Sequence, residues 1–299
     1  MKVFYSDTYT IPLPDGHKFP MSKYRLIRDA LLDRNILDTT ELHESPIFSP
    51  DELLLAHDPK YVASVCDLTL DPKIVRRIGF PLTAGLVKRS LATVGGAVSA
   101  SEIALEEGIS GNLAGGTHHA LYDAGEGFCV FNDIAVASLR LLNARKVNRI
   151  AIIDVDVHQG NGNSAILGDL PQIFIFSMHG RKNYPFIKVP STVDIELEDG
   201  VGDDEYCTIL KSYLPAFTEH KPDIIFYLGG SDPLETDSLG RLSLTMNGLA
   251  ERDRMVFEWA KREGIPVSLA LGGGYSKPIE YTVDAHVQTY HIAKSVFGI

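Results

Sequence analysis

The chain has 299 residues, of which 44% are hydrophobic and 22% are charged, and its formal net charge is -11. This composition is typical of a soluble globular protein, and no run approaches the roughly 20 apolar residues of a membrane span or the apolar stretch of a secretion signal. The acidic balance argues against a nucleic-acid-binding surface and is compatible with cationic substrates or products. Cys66, Cys129 and Cys207 form no Cys-x-x-Cys pair, so neither a disulfide framework nor a thiolate zinc site is indicated, and a reducing, cytoplasmic location is expected.

Strand and helix signals alternate along the chain. Short apolar or β-branched runs predict strands at residues 2–6, 112–115, 150–153, 173–178, 193–197, 223–228 and 267–271. Helical spacing predicts helices at residues 22–37, from 59 onward, around 87–98, and at 132–143, 203–217, 245–264 and 284–297. Asn132 and Asp203 are expected to cap their helices, and residues 68–83 are expected to be irregular. The pattern favours an α/β fold over residues 1–299, a single domain with an open, mainly parallel sheet and helices on both faces.

The central motif, Asp154-Val155-Asp156-Val157-His158, follows the buried strand predicted at residues 150–153. Side chains alternate along a strand, so Asp154, Asp156 and His158 are expected to share one face. Burying two carboxylates without a cation is costly, and a bound metal ion is the simplest explanation. The alternative is a solvated strand end, which the strongly apolar strand before it disfavours.

Three other predicted strands end in polar segments, which are Gly116-Thr117-His118-His119, Gly229-Gly230-Ser231-Asp232 and Gly272-Gly273-Gly274-Tyr275. In a parallel sheet these ends lie on the same edge as the central motif. None of the glycine-rich segments matches a phosphate-binding loop. Asp156, His158 and Asp232 would supply three ligands and leave one position open, as in a catalytic zinc site. A metal ion there would lower the pKa of bound water to about 7, so hydrolysis is the expected chemistry.

The other polar residues at these strand ends match the needs of amide hydrolysis. His118 or His119 can take a proton from water and return it to the leaving amine. Tyr275 can donate a hydrogen bond to the developing oxyanion. A histidine pair or a Gly-Tyr turn alone is more often structural, but their occurrence at one sheet edge favours a site. His17 is expected to be a structural or entrance residue, and His57 a capping or packing residue.

Together these segments resemble the histone deacetylase superfamily, most closely its class IV type and bacterial relatives. The matching segments occur in the family's order: Gly115-Gly116-Thr117-His118-His119, Gly127-Phe128-Cys129, the central motif with Gln159-Gly160-Asn161-Gly162, Gly230-Ser231-Asp232 with Asp237, and Gly273-Gly274-Tyr275. The resemblance implies the arginase-deacetylase fold and a zinc-dependent amidohydrolase that removes acetyl or longer acyl groups from acylated lysine.

The resemblance also implies a role for individual residues. Zinc would be held by Asp156, His158 and Asp232, and Tyr275 would donate the hydrogen bond to the transition state. His119 would be the principal general acid and base, with His118 as its partner and Asp154 as the residue that orients His118. Gly127 and Phe128 would line the acyl-lysine tunnel. A structural potassium ion would lie near the central motif, at Asp154 and the Ser177 hydroxyl.

Two departures from the family pattern bear on the basicity of the second histidine and on peptide specificity. The class I type has an aspartate at the position of Asn161, whereas the class II and IV types share the asparagine. A neutral partner would leave the second histidine, His119, less basic than a carboxylate would. No acidic residue stands near Gly79-Phe80, where many members hold the substrate backbone.

Alternative readings remain open at this point. The chain could instead be an acetylpolyamine amidohydrolase, an arginase-like two-metal hydrolase, or a non-enzymatic acyl-lysine-binding protein. The oxygen-rich ligand set would also accept iron(II) or cobalt(II). Acyl chain length and oligomeric state are not determined by the sequence.

Overall fold

Short runs rich in β-branched and aromatic residues form one eight-stranded sheet in the computed structural model, which describes residues 1–299. The strands are β1 (Val3–Tyr5), β2 (Leu42–Glu44), β3 (Ile109–Asn112), β4 (Ile150–Asp154), β5 (Ile173–Gly180), β6 (Val193–Leu197), β7 (Ile224–Leu228) and β8 (Val267–Ala270). Every neighbouring pair is parallel. The predicted α/β class with a mainly parallel sheet is therefore confirmed, and the sheet is parallel throughout.

Ten helices accompany the sheet. They are α1 (Lys23–Asp33), α2 (Pro50–Leu53), α3 (Pro59–Cys66), α4 (Pro72–Ile78), α5 (Ala84–Glu107), α6 (Asp133–Asn143), α7 (Asn161–Leu167), α8 (Asp203–His220), α9 (Met246–Glu263) and α10 (Glu280–Phe297). α5 packs on α6, while α9 packs on both α8 and α10. One cluster of 71 buried apolar residues joins these helices to the sheet, so no second core divides the chain. None of the helices has the length and apolar character needed to cross a membrane.

Several element boundaries predicted from the sequence are wrong. Residues 68–83 are not irregular throughout as expected, because residues 72–78 form α4, which begins where the Asp71 side chain accepts a hydrogen bond from Lys73 N. β3 ends at Asn112 because Gly115 and Gly116 have φ angles of 79° and 72°, which no strand adopts. α10 begins at residue 280, before the predicted 284. β2, α2 and α7 were not predicted.

Asp203 does not cap α8 as predicted. The N-cap residue is Gly202, and the Asp203 carboxylate instead accepts hydrogen bonds from the backbone N and Oγ1 of Thr245. Thr245 is the N-cap of α9, where its side chain accepts from Gly248 N. Asp203 therefore ties the start of α8 to the start of α9. The predicted cap at Asn132 is correct, since its side chain accepts from Ala135 N.

The order of the strands brings four polar segments together. The sheet runs β2-β1-β3-β8-β7-β4-β5-β6. The chain thus leaves β3, skips two positions to form β4, and returns later to fill the gap with β7 and β8. The four strands that end in polar residues are direct neighbours, and their carboxyl ends form a crevice of the kind in which parallel sheets bind ligands.

Candidate active site

Asp156, His158 and Asp232 converge beyond the carboxyl ends of β4 and β7. Their ligand atoms all lie within 4.8 Å of one another. His158 Nδ1 lies 3.0 Å from Asp156 Oδ1 and 3.1 Å from Asp232 Oδ2. All three residues are buried. Because two carboxylates and an imidazole suit Zn2+ and related divalent ions, this donor set fits a metal ion.

A hydrogen-bonded turn brings these ligands together. β4 ends at Asp154, so Asp156 and His158 lie outside the strand and the expectation from strand alternation is wrong. Asp156 N donates to Asp154 Oδ1 at 3.2 Å, and His158 N donates to Asp156 Oδ1 at 2.9 Å. The turn after β8 closes the site, because Gly273 N donates to Asp156 Oδ2 at 2.6 Å. A Cβ at Gly273 would collide with the Asp232 carboxylate.

Burial and mutual charge set the protonation of this cluster. Burial and the Asp156 charge raise the pKa of Asp232 to about 7. Burial alone would lower the pKa of His158, but its hydrogen bonds to Asp156 and Asp232 raise it to about 10. Burial would raise the pKa of Asp156, yet the charges of His118 and His158 hold it well below its usual range. The proton on His158 balances the carboxylates, and a bound cation would displace it because metal ligands must be deprotonated.

The two adjacent histidines lie beside this cluster with different partners. His118 Nδ1 lies 2.8 Å from Asp154 Oδ2, and His119 Nδ1 lies 2.7 Å from Asn161 Oδ1. Burial would lower the pKa of His118, but the Asp154 and Asp156 charges raise it to about 9. Burial and the charges of His118 and His158 hold the pKa of His119 well below its ordinary value. His118 is therefore cationic and His119 neutral near pH 7, so His119 is the imidazole that can accept a proton.

Asp133 holds the loop that carries the histidines, and sequence reasoning missed it. Its carboxylate accepts hydrogen bonds from Gly116 N at 3.0 Å and Thr117 N at 2.8 Å. Thr117 Oγ1 donates to the same carboxylate at 2.6 Å. In the sequence Asp133 only indicates an acidic first turn of α6, so no local signal indicates its contact with this loop.

Glu126, which sequence reasoning also missed, binds Asn161, the hydrogen-bond partner of His119. Asn161 Nδ2 donates to Glu126 Oε1 at 2.8 Å. The other oxygen of Glu126 is paired with the guanidinium of Arg77. Glu126 is buried, so this acceptor fixes the amide of Asn161 with its oxygen towards His119. His119 must then carry its proton on Nδ1 and present Nε2 as an acceptor.

Tyr275 stands at the cavity side of the cluster. Its backbone N donates to Asp237 Oδ2 at 2.6 Å, which fixes the turn after β8. Its ring centroid lies 6.4 Å from that of His158 and 6.2 Å from that of Phe128. Burial and the Asp232 charge raise the pKa of Tyr275 well above its ordinary value, so the hydroxyl remains a hydrogen-bond donor.

An open cavity of about 780 Å³ reaches these residues from the surface, and His119, His158 and Tyr275 line it. Gly127 and Phe128 form part of the same wall. Gly127 has a φ of 57°, and a Cβ there would lie 2.6 Å from His119 Cδ2, so the wall approaches the histidine only with glycine at this position. No Asp or Glu lines the mouth, in agreement with the absence of an acidic residue near Gly79-Phe80.

The remaining residues singled out in the sequence lie around the site. Ser177 on β5 is in register with Asp154 on β4, and its Oγ lies 3.0 Å from His179 Nδ1. The potassium site at Asp154 and Ser177 stays a prediction. His17 Nε2 lies 2.8 Å from Gly79 O, and His57 Nδ1 lies 3.0 Å from Leu121 O. Both histidines connect loops, as expected of structural residues.

This fold and this arrangement at its carboxyl edge define an α/β protein of the arginase-deacetylase type. A solved histone deacetylase homolog complexed with SAHA superposes with a TM-score of 0.82 and 26% sequence identity, over 99% of this chain and 84% of that chain. A homolog from Aquifex aeolicus has a TM-score of 0.82 over 99% of this chain and 88% of that chain, and at 24% identity it supports the fold alone.

Sequence comparison gives the family. Residues 17–290 match the histone deacetylase domain. An uncharacterized protein of Picosynechococcus sp. is 40% identical over 99% of each chain. Histone deacetylase 2 of Arabidopsis thaliana is 31% identical over 93% of this chain and 75% of that protein. Histone deacetylase 1 of Homo sapiens is 27% identical over 87% of this chain and 58% of that protein.

The chain therefore belongs to the histone deacetylase family. This membership supports a hydrolase with deacetylase activity.

Proposed function

We propose that the chain is a metal-dependent deacylase that removes acetyl or longer acyl groups from acylated lysine. The observation that carries the proposal is the convergence of Asp156, His158 and Asp232 beside His119 and Tyr275, at the inner end of one open cavity. The three ligands would hold a single ion, Zn2+ or alternatively Fe2+ or Co2+. When bound, such an ion acts as a Lewis acid that lowers the pKa of water and polarises the amide carbonyl.

The residues of the chain would divide the remaining chemistry. His119, neutral and with Nε2 as acceptor, takes the proton of the attacking water and returns it to the leaving amine. His118 is held as an Nδ1–H donor by Asp154 and contributes a positive charge beside the reacting atoms. Tyr275 donates a hydrogen bond to the carbonyl oxygen as negative charge develops on it. Gly127 and Phe128 line the passage of the acylated side chain.

Further expectations belong to the same proposal. A structural potassium ion would lie near Asp154 and Ser177, which are adjacent in the sheet. The three cysteines form no disulfide, which suits a reducing compartment such as the cytoplasm.

A panel of lysine peptides carrying acyl chains of different lengths tests the proposal on protein of defined metal content. We expect hydrolysis to disappear on chelation and to return when Zn2+ is added. Asp232→Asn serves as the matched variant, since it removes one ligand with little change in volume. Hydrolysis that survives chelation would contradict the metal-dependent mechanism.

The main alternative is an amidohydrolase of acetylated polyamines or other small acylated amines, which the net charge of -11 favours. Turnover of acetylputrescine or acetylspermidine in preference to every acyl-lysine peptide would support it. Two metal ions per chain would support an arginase-like site, although the structure has a single three-residue cluster. Tight binding of acyl peptides without product would support a binding protein.

A further inference from the structure

The mouth of the cavity is basic although the protein as a whole is acidic. Four cationic side chains line it, and they are those of Lys18, Arg77, Lys182 and Arg241. No carboxylate lines it, whereas the chain carries 39 acidic residues against 28 basic ones. The charge at the mouth is thus opposite to the average charge of the chain.

Carboxylates near the mouth neutralise only part of this charge. Asp199 is shared by two of the cations, at 3.3 Å from Lys182 Nζ and 3.1 Å from Arg241 Nη1. Glu126 pairs with Arg77 but is itself buried. Lys18 is exposed and forms no salt bridge. The four cations thus have only two carboxylates as ion-pair partners.

Two exposed apolar side chains adjoin the same mouth. Phe186 lines it and is 86% exposed, and the next residue, Ile187, is also 86% exposed. The loop that carries them is held in shape, because Lys188 Nζ donates to Asn183 O and Pro185 O, both at 2.6 Å. Adjacent exposed apolar side chains beside a cavity indicate a surface that a partner covers. A peptide leaving the cavity would cover them, whereas a small amine would not reach beyond the mouth.

We propose that the preferred substrates are peptide segments in which acidic residues flank the acylated lysine. This inference rests on the proposed deacylase function and narrows its substrate class. Charges of one sign around a cleft attract ligands of the opposite sign. Acetylated polyamines keep protonated amines, which would meet Lys18, Lys182 and Arg241, so the mouth disfavours the substrates that the net charge of the chain suggested.

The test compares three acetyl-lysine peptides of equal length, with acidic, neutral and basic flanks, and acetylspermidine. Both kcat/KM and peptide binding by fluorescence anisotropy are measured, so that the preference is obtained even if no turnover occurs. We expect the acidic peptide to be favoured about 10-fold over the basic one at low salt, and the preference to shrink at ~0.5 M salt. Lys18→Glu should reduce this ratio severalfold. Lys211→Glu, an equal charge change on an exposed residue of α8, should not change it.

Equal binding of all peptides, a preference for basic flanks or acetylspermidine, or a ratio that Lys18→Glu and Lys211→Glu change alike would overturn the inference. Absence of hydrolysis for every substrate would refute the proposed function, while a binding preference for acidic flanks would still support the basic mouth as a recognition surface.

Discussion

Exchanging the amide of Asn161 with the carboxylate of Glu126 tests how the proposed base, His119, is oriented. In the native chain Glu126 accepts from Asn161, whose oxygen faces His119. Asn161→Asp alone places a second carboxylate 2.8 Å from Glu126 Oε1, inside a buried region. Glu126→Gln alone keeps an acceptor but loses the charge partner of Arg77. The double variant keeps the total charge and restores a donor at position 126 and an acceptor at position 161.

The expected magnitude follows from these contacts. A buried hydrogen bond that orients the base is worth about 1–3 kcal/mol, and if the transition state loses that much stabilisation, kcat/KM falls about 5- to 150-fold. We therefore expect Asn161→Asp to lose activity in this range, Glu126→Gln to lose less, and the double variant to recover most of the loss. A carboxylate beside His119 would also raise its pKa, which burial and neighbouring charges now hold low. Because the base acts in its neutral form, the acid limb of the pH profile should move to higher pH.

The assay is kcat/KM for an acetyl-lysine peptide as a function of pH, with metal content and circular dichroism recorded for each variant. Losses that simply add in the double variant would show that the two side chains act independently. An acid limb that stays in place in a folded, metal-loaded double variant would refute His119 as the base.

Three further predictions concern other parts of the site and the fold. Tyr275→Phe should lower kcat by about 10²- to 10³-fold with little effect on KM, because it removes a hydrogen-bond donor to the developing oxyanion. A kcat within about twofold of the native value would contradict this role. Zn2+ at about 1,000 times its Kd should stabilise the metal-free protein by about 4 kcal/mol, which a thermal scan measures as a higher Tm. Asp232→Asn should abolish this increase, because it removes one of the three proposed ligands. Burial lowers the pKa of His57 to about 4, below the ~6.5 of an unfolded histidine. The contribution of His57 to stability is therefore present above about pH 6.5 and lost as the pH falls towards 4, by up to about 3 kcal/mol. In His57→Gln the free energy of unfolding should depend less on pH over this range.

Local patterns predicted much of the fold. Strand β6 and helix α6 lie where the sequence predicts them, because a β-branched alternation in one case and an Asn cap in the other are local signals. Helix α4 is missed because its apolar periodicity is weak, and strand β3 is predicted too late because the glycine φ angles that follow it are visible only in the backbone. The central motif shows the same limit, since Asp156 and His158 lie in a turn after Asp154 and not on the strand whose alternation was expected to place them on one face.

The sequence by itself determined which chemical groups stand at the strand ends. The metal-ligating, basic or phenolic character of a side chain depends only on the residue type, and its place at a strand end follows from the neighbouring residues in the chain. It also determined the net charge of -11. Only the tertiary structure decided that β3, β8, β7 and β4 are adjacent, that Glu126 orients Asn161, and that cations line the mouth. These features join residues far apart in the chain, and the order of strands in the sheet sets their distances.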